Sequence, residues 1–292
     1  MASIGKYAEA LEFTHEKISS SPVNQRKQLT DLADQIEAMK HHSVTGEYDY
    51  ASLHTQNPMG QRLATCGEYN GPYEVRKVTG KGRGLFATRD IQPGELILAS
   101  RAEEIIFYCD CDETSEIKIS HQSGSSTLDT GSHEDTVAAL CRRIKTDPQV
   151  CKKLYSLDGG LKFRPLSQDQ IDKRYLSTAS NVDPVDMERI ANVVRNNSFR
   201  YAEFGNPVNK KSAFESPFDS QAAAFWILPS YMNHDCGNAN ANWLMLRDFF
   251  FSRATRLIPK GEEITTLYVC AFSSLKDRDK VAKSHGFVCK CR

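Results

Sequence analysis

The sequence predicts an α+β fold in which short β-strands lie on both sides of a helical insert and follow an N-terminal helix pair. Three observations support this prediction. Apolar residues recur at helical spacing in the first 45 residues, strand patterns begin at Tyr73, and strand patterns return at Trp243 after helical stretches.

Composition and charge argue against several functional classes. The 292 residues include 37 basic and 37 acidic side chains, so no net field attracts nucleic acid or an anionic membrane, and direct nucleic-acid binding is not expected. No apolar run approaches the roughly 20 residues of a membrane span, which predicts an intracellular protein of the nucleus or cytoplasm. Nine cysteines, an odd number, favour free thiols and a metal site over a disulfide framework.

The first 45 residues are predicted to form two helices. Apolar residues at i, i+3, i+4 and i+7 mark both segments: Ile4, Tyr7, Ala8 and Leu11, then Leu29, Leu32, Ala33 and Ile36. Ser21-Pro22 separates them. We interpret the pair as a packing or oligomerisation arm that offers a surface to a protein partner. Residues 46–72 are turn-rich and are predicted to wrap the next domain as a linker.

Short strands punctuated by glycines are predicted next, over Tyr73–Val78, Glu95–Leu98 and Ala102–Phe107. Residues 110–133 are rich in Ser, Gly and Thr, which indicates a flexible surface loop.

Helical patterns follow at Glu134–Ile144, Asp147–Leu157 and Pro184–Val194. Asp183 is the expected N-cap of the last helix, with Pro184 at its first position. The final predicted strands are Trp243–Ser252, Arg253–Leu257 and Glu263–Tyr268.

A glycine-rich segment, Lys81-Gly-Arg-Gly84, lies between two predicted strands. Gly82 and Gly84 allow the backbone to approach a ligand closely. Lys81 and Arg83 suit an anionic group such as a cofactor carboxylate. An ordinary β-hairpin turn is the alternative interpretation. The segment is not a dinucleotide-binding fingerprint, because strands rather than a helix follow it.

Two asparagine-containing segments are further candidates. Asn196-Asn197 follows the last predicted helix of the insert, where an asparagine is either a helix cap or a ligand for a group with an amine and a carboxylate. Asn233-His234 follows an apolar run that Pro229 ends. Because a buried amide and imidazole need hydrogen-bond partners, this pair indicates bonding to a ligand or to backbone.

Tyr268 ends the last predicted strand, and its hydroxyl is suited to orient a lysine amine by hydrogen bonding. An ordinary core or surface tyrosine is the alternative.

Cysteines supply the candidate metal site. Cys236, Cys289 and Cys291 together offer three thiolates for a tetrahedral zinc site. The other Cys-x-Cys pair, Cys109 and Cys111, lies in an acidic loop without a partner cluster and is not assigned to a metal.

Taken in order, these segments resemble the SET domain of protein lysine methyltransferases. They run Lys81-Gly-Arg-Gly84, a helical insert, Asn196-Asn-Ser-Phe199, Asn233-His-Asp-Cys236, Gly261-Glu-Glu-Ile264 with Tyr268, and Gly286-Phe-Val-Cys-Lys-Cys291. The resemblance covers about residues 46–292. It is closest to fungal proteins that join a TPR region to a SET domain and to the MYND-and-SET type, although no MYND finger is present.

The resemblance implies transfer of a methyl group from S-adenosylmethionine to a lysine of a protein or peptide. Tyr268 would be the catalytic tyrosine, and Cys236, Cys289 and Cys291 would bind zinc. The residues implied to contact the cofactor are Lys81, Gly82, Arg83, Gly84, Asn197, Asn233, His234 and Phe287. The implied organisation is a helical arm at 1–45, a linker at 46–72, a SET domain at 73–272 with an insert at about 110–195, and a truncated post-SET segment at 273–292.

Two other classes remain open. One is a catalytically inactive SET-like scaffold with an incomplete zinc site. The other is a helical interaction protein whose SET part only packs against partners.

Overall fold

The structure is a computed structural model, and its elements alternate between short strands and helices. It describes residues 2–55, 63–78, 82–107, 118–122, 125–129, 132–160, 162–177, 183–202, 221–268, 274–284 and 287–289.

The α-helices are α1 (Ala2–Ser20), α2 (Val23–Thr45), α3 (Tyr50–Thr55), α4 (Ser132–Thr146), α5 (Pro148–Tyr155), α6 (Gln168–Ile171), α7 (Met187–Asn197) and α8 (Leu275–Ser284). A π-helical turn spans Asp172–Leu176, and a 3-10 turn spans Pro229–Tyr231. None of these described helices combines the length and the apolar character that crossing a membrane requires.

The strands are β1 (Tyr69–Asn70), β2 (Tyr73–Val78), β3 (Gly82–Ala87), β4 (Leu96–Arg101), β5 (Glu104–Phe107), β6 (Lys118–Gln122), β7 (Ser125–Asp129), β8 (Ser198–Ala202), β9 (Gln221–Phe225), β10 (Asn233–His234), β11 (Ala241–Leu246), β12 (Phe249–Ala254) and β13 (Glu263–Thr266). Among the described residues these strands form four sheets, in the orders β1-β4-β12-β11, β10-β13-β3-β2, β5-β9-β8 and β6-β7. The predicted α+β class and the N-terminal helix pair are therefore confirmed.

The chain divides into two compact units. The first comprises Met1–Glu74, Phe86–Arg101 and Asn240–Glu262, and the second comprises Val75–Leu85, Ala102–Ala239 and Glu263–Arg292.

The core of the first unit lies on the β1-β4-β12-β11 sheet. Its buried side chains are apolar: Leu53, Ala64, Cys66, Leu96, Ala99, Leu246, Phe249 and Phe251. Asp248 is buried beside this core, accepts a hydrogen bond from the Ala64 N–H at 2.7 Å and pairs with Arg101. A buried carboxylate is tolerated because both a cation and a backbone donor satisfy it.

Helix α2 contacts the rest of the first unit through its last two turns. The His42 Nδ1 atom accepts a hydrogen bond from the Gly67 N–H at 3.3 Å, and its ring stacks on Tyr48 at 4.7 Å between centroids. A Cβ added to Gly67 would overlap the Met39 carbonyl oxygen and lie 2.8 Å from its carbonyl carbon. Only glycine permits so close an approach of the two backbones.

The second unit holds the helical insert and two small sheets. Helices α4, α5 and α7 pack together, with Leu140, Val150, Leu154 and Val193 among the residues that are buried. Glu103, which is 9% exposed, accepts hydrogen bonds from Arg143 at 2.6 Å and Lys153 at 2.9 Å. These two ion pairs connect α4 and α5 to the start of β5.

Several predicted boundaries were wrong for local reasons. Helix α7 begins at Met187, three residues later than predicted, because the Asp186 carboxylate accepts from the Arg189 N–H while Asp183 accepts from the Val185 N–H in the preceding turn.

The predicted strand Trp243–Ser252 is two strands, β11 and β12, because Arg247 turns the chain with a left-handed φ of 54°. The predicted strand Arg253–Leu257 is wrong, since β12 ends at Ala254 and a turn follows. The predicted flexible loop at 110–133 contains the β6–β7 hairpin, with Lys118 opposite Asp129.

Candidate functional site

Gly82, Arg83 and Gly84 form the start of β3 within the second unit. Gly82 has a φ of +81°, a backbone conformation that residues other than glycine adopt only with strain. A Cβ built on Gly84 would lie 2.6 Å from the Glu263 Oε1 atom and 2.9 Å from the Asn233 Nδ2 atom. Glycine at position 84 therefore allows two polar side chains to approach the strand backbone.

Arg83 lies between these glycines and carries an unsatisfied donor. Its guanidinium lies over the Tyr231 ring, 4.8 Å from the centroid. The Nη2 atom is buried and makes no hydrogen bond within the part of the chain that the structure describes. A buried donor without an acceptor is unfavourable, and an anion would satisfy it. The site therefore suits a carboxylate group at Arg83.

Asn233 is fixed by two acceptors. It lies on β10, which runs parallel to β13 with Asn233 opposite Thr265. Its Nδ2 atom donates to the Glu263 Oε1 atom at 2.6 Å and to the Arg83 carbonyl oxygen at 3.1 Å. These bonds occupy both amide hydrogens, so Asn233 can interact with a ligand only through its Oδ1 atom, as an acceptor.

His234, Tyr268 and Phe287 form an aromatic cluster next to this pair. The ring centroids are 5.3 Å apart for His234 and Tyr268, 5.9 Å for His234 and Phe287, and 6.2 Å for Tyr268 and Phe287. His234 is 8% exposed, and its Nδ1 atom accepts a hydrogen bond from the Tyr268 N–H at 3.2 Å. The neutral ring therefore carries its proton on Nε2.

The Tyr268 hydroxyl is held as a donor. It donates to the Met232 carbonyl oxygen at 2.9 Å. Burial raises the pKa of Tyr268 above its ordinary value, and the negative charge of Glu263 raises that pKa further. The phenol is thus protonated at neutral pH, and its oxygen lone pairs face away from the donated proton, where they can accept an N–H.

Asn197 ends α7 and supports the turn of the insert. Its Nδ2 atom donates to the carbonyl oxygens of Asp158 at 2.9 Å and Val193 at 2.7 Å. A Cβ built on Gly82 would lie 3.8 Å from the Asp158 Oδ2 atom. Asp158 therefore lies beside both the glycine-rich strand and Asn197.

Cys236 and Cys289 are close enough to share a metal ion. Their Sγ atoms lie 3.6 Å apart and are not joined in a disulfide. Two thiolates on a tetrahedral zinc ion, each about 2.3 Å from it, would lie about 3.8 Å apart. A His234 ring nitrogen joins the group, with all three ligand atoms within 4.8 Å of one another. The two sulfur donors at this spacing fit zinc.

Comparison with known proteins places this geometry in a family. The family of proteins with a SET domain matches residues 82–269, more than half of the chain. The chain belongs to the SET domain family.

Two curated relatives match this chain over different lengths. A protein described as "Methyltransferase" from Gibberella zeae is 23% identical over 303 residues, which cover 99% of this chain and 39% of that protein. "Histone-lysine N-methyltransferase set5" from Schizosaccharomyces pombe is 37% identical over 75 residues, which cover 25% of this chain and 24% of that protein. The SET chain thus spans about two fifths of the first relative and about a quarter of the second.

Solved SET structures are similar at low identity. Rubisco LSMT bound to AdoMet is 16% identical with a TM-score of 0.41, covering 75% of this chain and 52% of that one. The SET domain of LSMT bound to lysine and AdoHcy is 15% identical with a TM-score of 0.36, covering 74% and 60%.

Most of the predicted site residues of this SET domain lie together. Within the second unit the structure connects, by contacts or by a shared strand, Gly82, Arg83, Gly84, Asn197, Asn233, His234, Tyr268, Phe287, Cys236 and Cys289. Lys81, Cys291, Cys109 and Cys111 lie outside the described residues.

Sequence reasoning missed three contributors to the site, namely Glu263, Tyr231 and Asp158. Glu263 belongs to the Gly261-Glu-Glu-Ile264 motif, but two adjacent glutamates give no indication of which one faces Asn233. Tyr231 lies only three residues before His234, and an aromatic residue so close to the Asn233-His234 pair could have indicated its place in the site. Asp158 precedes Gly159-Gly160, a turn signal within the insert whose position in the fold only the structure provides.

Proposed function

We propose that this SET domain transfers a methyl group from S-adenosylmethionine to a lysine side chain of a protein or peptide. One observation carries the proposal. Arg83 offers an unsatisfied buried donor, and Asn233 beside it can act only as an acceptor. A carboxylate at Arg83 and an ammonium at Asn233 are the two charged groups of an amino acid, which is the part of S-adenosylmethionine that this pair would hold.

The proposed cofactor contacts extend beyond this pair. Gly82 and Gly84 give the ligand access to backbone, and His234 and Phe287 supply aromatic walls. Asn197 and Lys81 complete the set implied by the family resemblance. Gly84 is the most constrained of these positions, because any side chain there would collide with Glu263 and Asn233.

The bound cofactor supplies an already activated methyl group, so the protein mainly positions and desolvates the amine. Tyr268 is suited to that task. Its hydroxyl proton is donated to Met232, which leaves the phenolic oxygen to accept an N–H of a neutral lysine amine. The surrounding rings of His234 and Phe287 exclude water and favour the neutral amine by desolvation.

We further propose that Cys236 and Cys289 bind zinc, with Cys291 as a third thiolate. Zinc there would join the loop after β10 to the segment after α8, which carries Phe287. A His234 ring nitrogen lies within 4.8 Å of both thiols, but it is not assigned to the metal, because Nδ1 accepts from the Tyr268 N–H and the neutral ring carries its proton on Nε2. The role of the metal in this proposal is to order Phe287 against the site.

The substrate is proposed to be a protein lysine, histone or non-histone. Support comes from the Schizosaccharomyces pombe relative, a histone-lysine N-methyltransferase, over the matched 75 residues. The N-terminal helix pair is proposed to contact a protein partner. An inactive SET-like scaffold is the competing function, and cofactor binding distinguishes the two.

Isothermal titration with S-adenosylhomocysteine, followed by transfer of a labelled methyl group to histones and whole-lysate proteins, tests the proposal. Wild-type protein is expected to bind the ligand and to label lysine. Arg83→Met should weaken binding, whereas Arg89→Met, which removes an exposed guanidinium paired with Glu95, should not. Absence of binding at millimolar ligand would refute the enzyme proposal. Binding without transfer to any lysine would favour the scaffold.

A further inference from the structure

We propose that Glu263 is a positioning residue that determines which atom of the Asn233 amide meets the ligand. The inference rests on the proposed function, because it takes that ligand to be the amino-acid-bearing cofactor. The observation behind it is the short hydrogen bond from the Asn233 Nδ2 atom to the Glu263 Oε1 atom, 2.6 Å long.

An asparagine amide can present either its oxygen or its nitrogen to a ligand. At Asn233 two acceptors, the Glu263 carboxylate and the Arg83 carbonyl oxygen, converge on one end of the amide. Rotating the amide by half a turn would place Oδ1 against both acceptors. The carboxylate contributes more to this preference, because a hydrogen bond to an ionised group is about twice as strong as one between neutral groups.

The second observation is the absence of a side chain at position 84. A Cβ there would lie 2.6 Å from Glu263 Oε1 and 2.9 Å from Asn233 Nδ2, so the two groups occupy the space that a residue other than glycine would fill. Gly84 on β3 therefore leaves the space in which the Glu263 carboxylate of β13 reaches the Asn233 amide.

The chemical consequence is a division of roles within the site. Glu263 orients Asn233, the Asn233 Oδ1 atom accepts from the ligand's ammonium, and the buried Arg83 Nη2 atom donates to its carboxylate. Glu263 itself does not touch the ligand in this arrangement.

The test compares two substitutions with two ligands. Glu263→Met keeps the length of the side chain but removes the acceptor, whereas Glu263→Gln keeps an acceptor oxygen without the charge. S-adenosylhomocysteine carries the amino-acid group, and 5′-methylthioadenosine lacks it. Glu263→Met is expected to lower the affinity for S-adenosylhomocysteine about tenfold or more. The same substitution should change the affinity for 5′-methylthioadenosine less than about threefold. Glu263→Gln should have an affinity for S-adenosylhomocysteine within about threefold of the wild-type value.

The adjacent glutamate supplies a matched control. The Glu262 carboxylate also accepts from an asparagine amide, that of Asn240 at 3.0 Å, and it pairs with Arg256 at 2.6 Å. Glu262→Met removes the same kind of bond and should leave the affinities for both ligands unchanged.

Two results would overturn the inference. If Glu263→Gln is as damaging as Glu263→Met, the charge itself contacts the ammonium and the residue binds the ligand directly. If Glu263→Met lowers the affinity for both ligands equally, the role of Glu263 is structural.

A ligand-free measurement separates failure of this inference from failure of the proposed function. The side-chain amide signal of Asn233, assigned by its loss in Asn233→Asp, should exchange with solvent faster in Glu263→Met than in wild type. Equal exchange rates would refute the positioning role whether or not the protein binds a cofactor. A wild-type protein that binds no S-adenosylhomocysteine would instead refute the proposed function.

Discussion

Replacing Tyr268 with phenylalanine removes one oxygen atom and leaves the rest of the aromatic cluster in place. The ring retains its contacts with His234 at 5.3 Å and Phe287 at 6.2 Å. The change removes the hydrogen bond to the Met232 carbonyl oxygen and the phenolic oxygen that we propose accepts an N–H of the lysine amine.

The expected magnitudes differ between stability and turnover. The lost hydrogen bond should lower the free energy of unfolding by about 1 kcal/mol. Loss of the group that aligns the amine should lower the rate of methyl transfer by on the order of a hundredfold, because misalignment by about 1 Å has an effect of that size. Affinity for the cofactor should change less than about twofold, since the proposed cofactor contacts at Arg83 and Asn233 do not involve the hydroxyl.

The assay measures both quantities on the same preparation. Isothermal titration gives the affinity for S-adenosylhomocysteine, and single-turnover transfer of a labelled methyl group gives the rate and the number of methyl groups added. Tyr73→Phe is a suitable control, because its hydroxyl bonds Asn70 in the β1–β2 region at 2.6 Å. It should alter neither quantity.

A parallel loss of affinity and rate in Tyr268→Phe would refute the reasoning, since it would mean that the hydroxyl supports the fold of the site. An unchanged rate and an unchanged methylation product would refute it as well.

Three further predictions concern stability and metal content. Gly67→Ala should lower the free energy of unfolding by about 3 kcal/mol or more in urea titrations, because its Cβ would overlap helix α2 backbone. His42→Phe should reduce the loss of stability between pH 7.5 and pH 5.5. That loss is measured as the difference between the urea unfolding midpoints at the two pH values. Purified protein should contain about one zinc ion per chain by elemental analysis. Cys236→Ser should lower that content.

The sign of the His42 effect follows from its pKa. Burial, and then the neighbouring His41, lower the pKa of His42 from its ordinary 6.5. As the pH falls through 6.5, the unfolded ring gains a proton that the folded ring resists. Neutral His42 therefore contributes stability above pH 6.5 that is lost as the pH falls through its folded value. An unchanged pH dependence in His42→Phe would contradict this reasoning.

Controls exist for the other two predictions. Gly94→Ala adds a methyl group where nothing lies within 4 Å, so only its φ of +80° should lower stability, by about 1–2 kcal/mol. A larger loss than in Gly67→Ala would show that backbone overlap is not the cause. Cys141→Ser removes a half-buried thiol far in sequence from the cluster and should leave the zinc content unchanged. Zinc-free wild-type protein would contradict the metal proposal.

Candidate site residues were easier to select from the sequence than the exact bounds of the surrounding helices and strands. Arg83, Asn233 and Tyr268 could be selected as candidates because the order and spacing of their segments resemble one family. The start of α7 and the turn at Arg247 could not, because each depends on a local competition between neighbouring caps or backbone conformations. Propensities of adjacent aspartates do not indicate which one a helix will use.

The sequence by itself determined the α+β class, the helix pair and the membership of residues 82–269 in a SET domain. Periodicity is a local pattern and the order of motifs follows the chain, so both can be read without knowing which residues meet in space. Only the tertiary structure decided what each side chain can offer a ligand. The amide of Asn233 became an acceptor because Glu263, thirty positions away, and the Arg83 backbone use its two hydrogens. Such roles depend on which groups meet in space, and residue types alone do not contain that information.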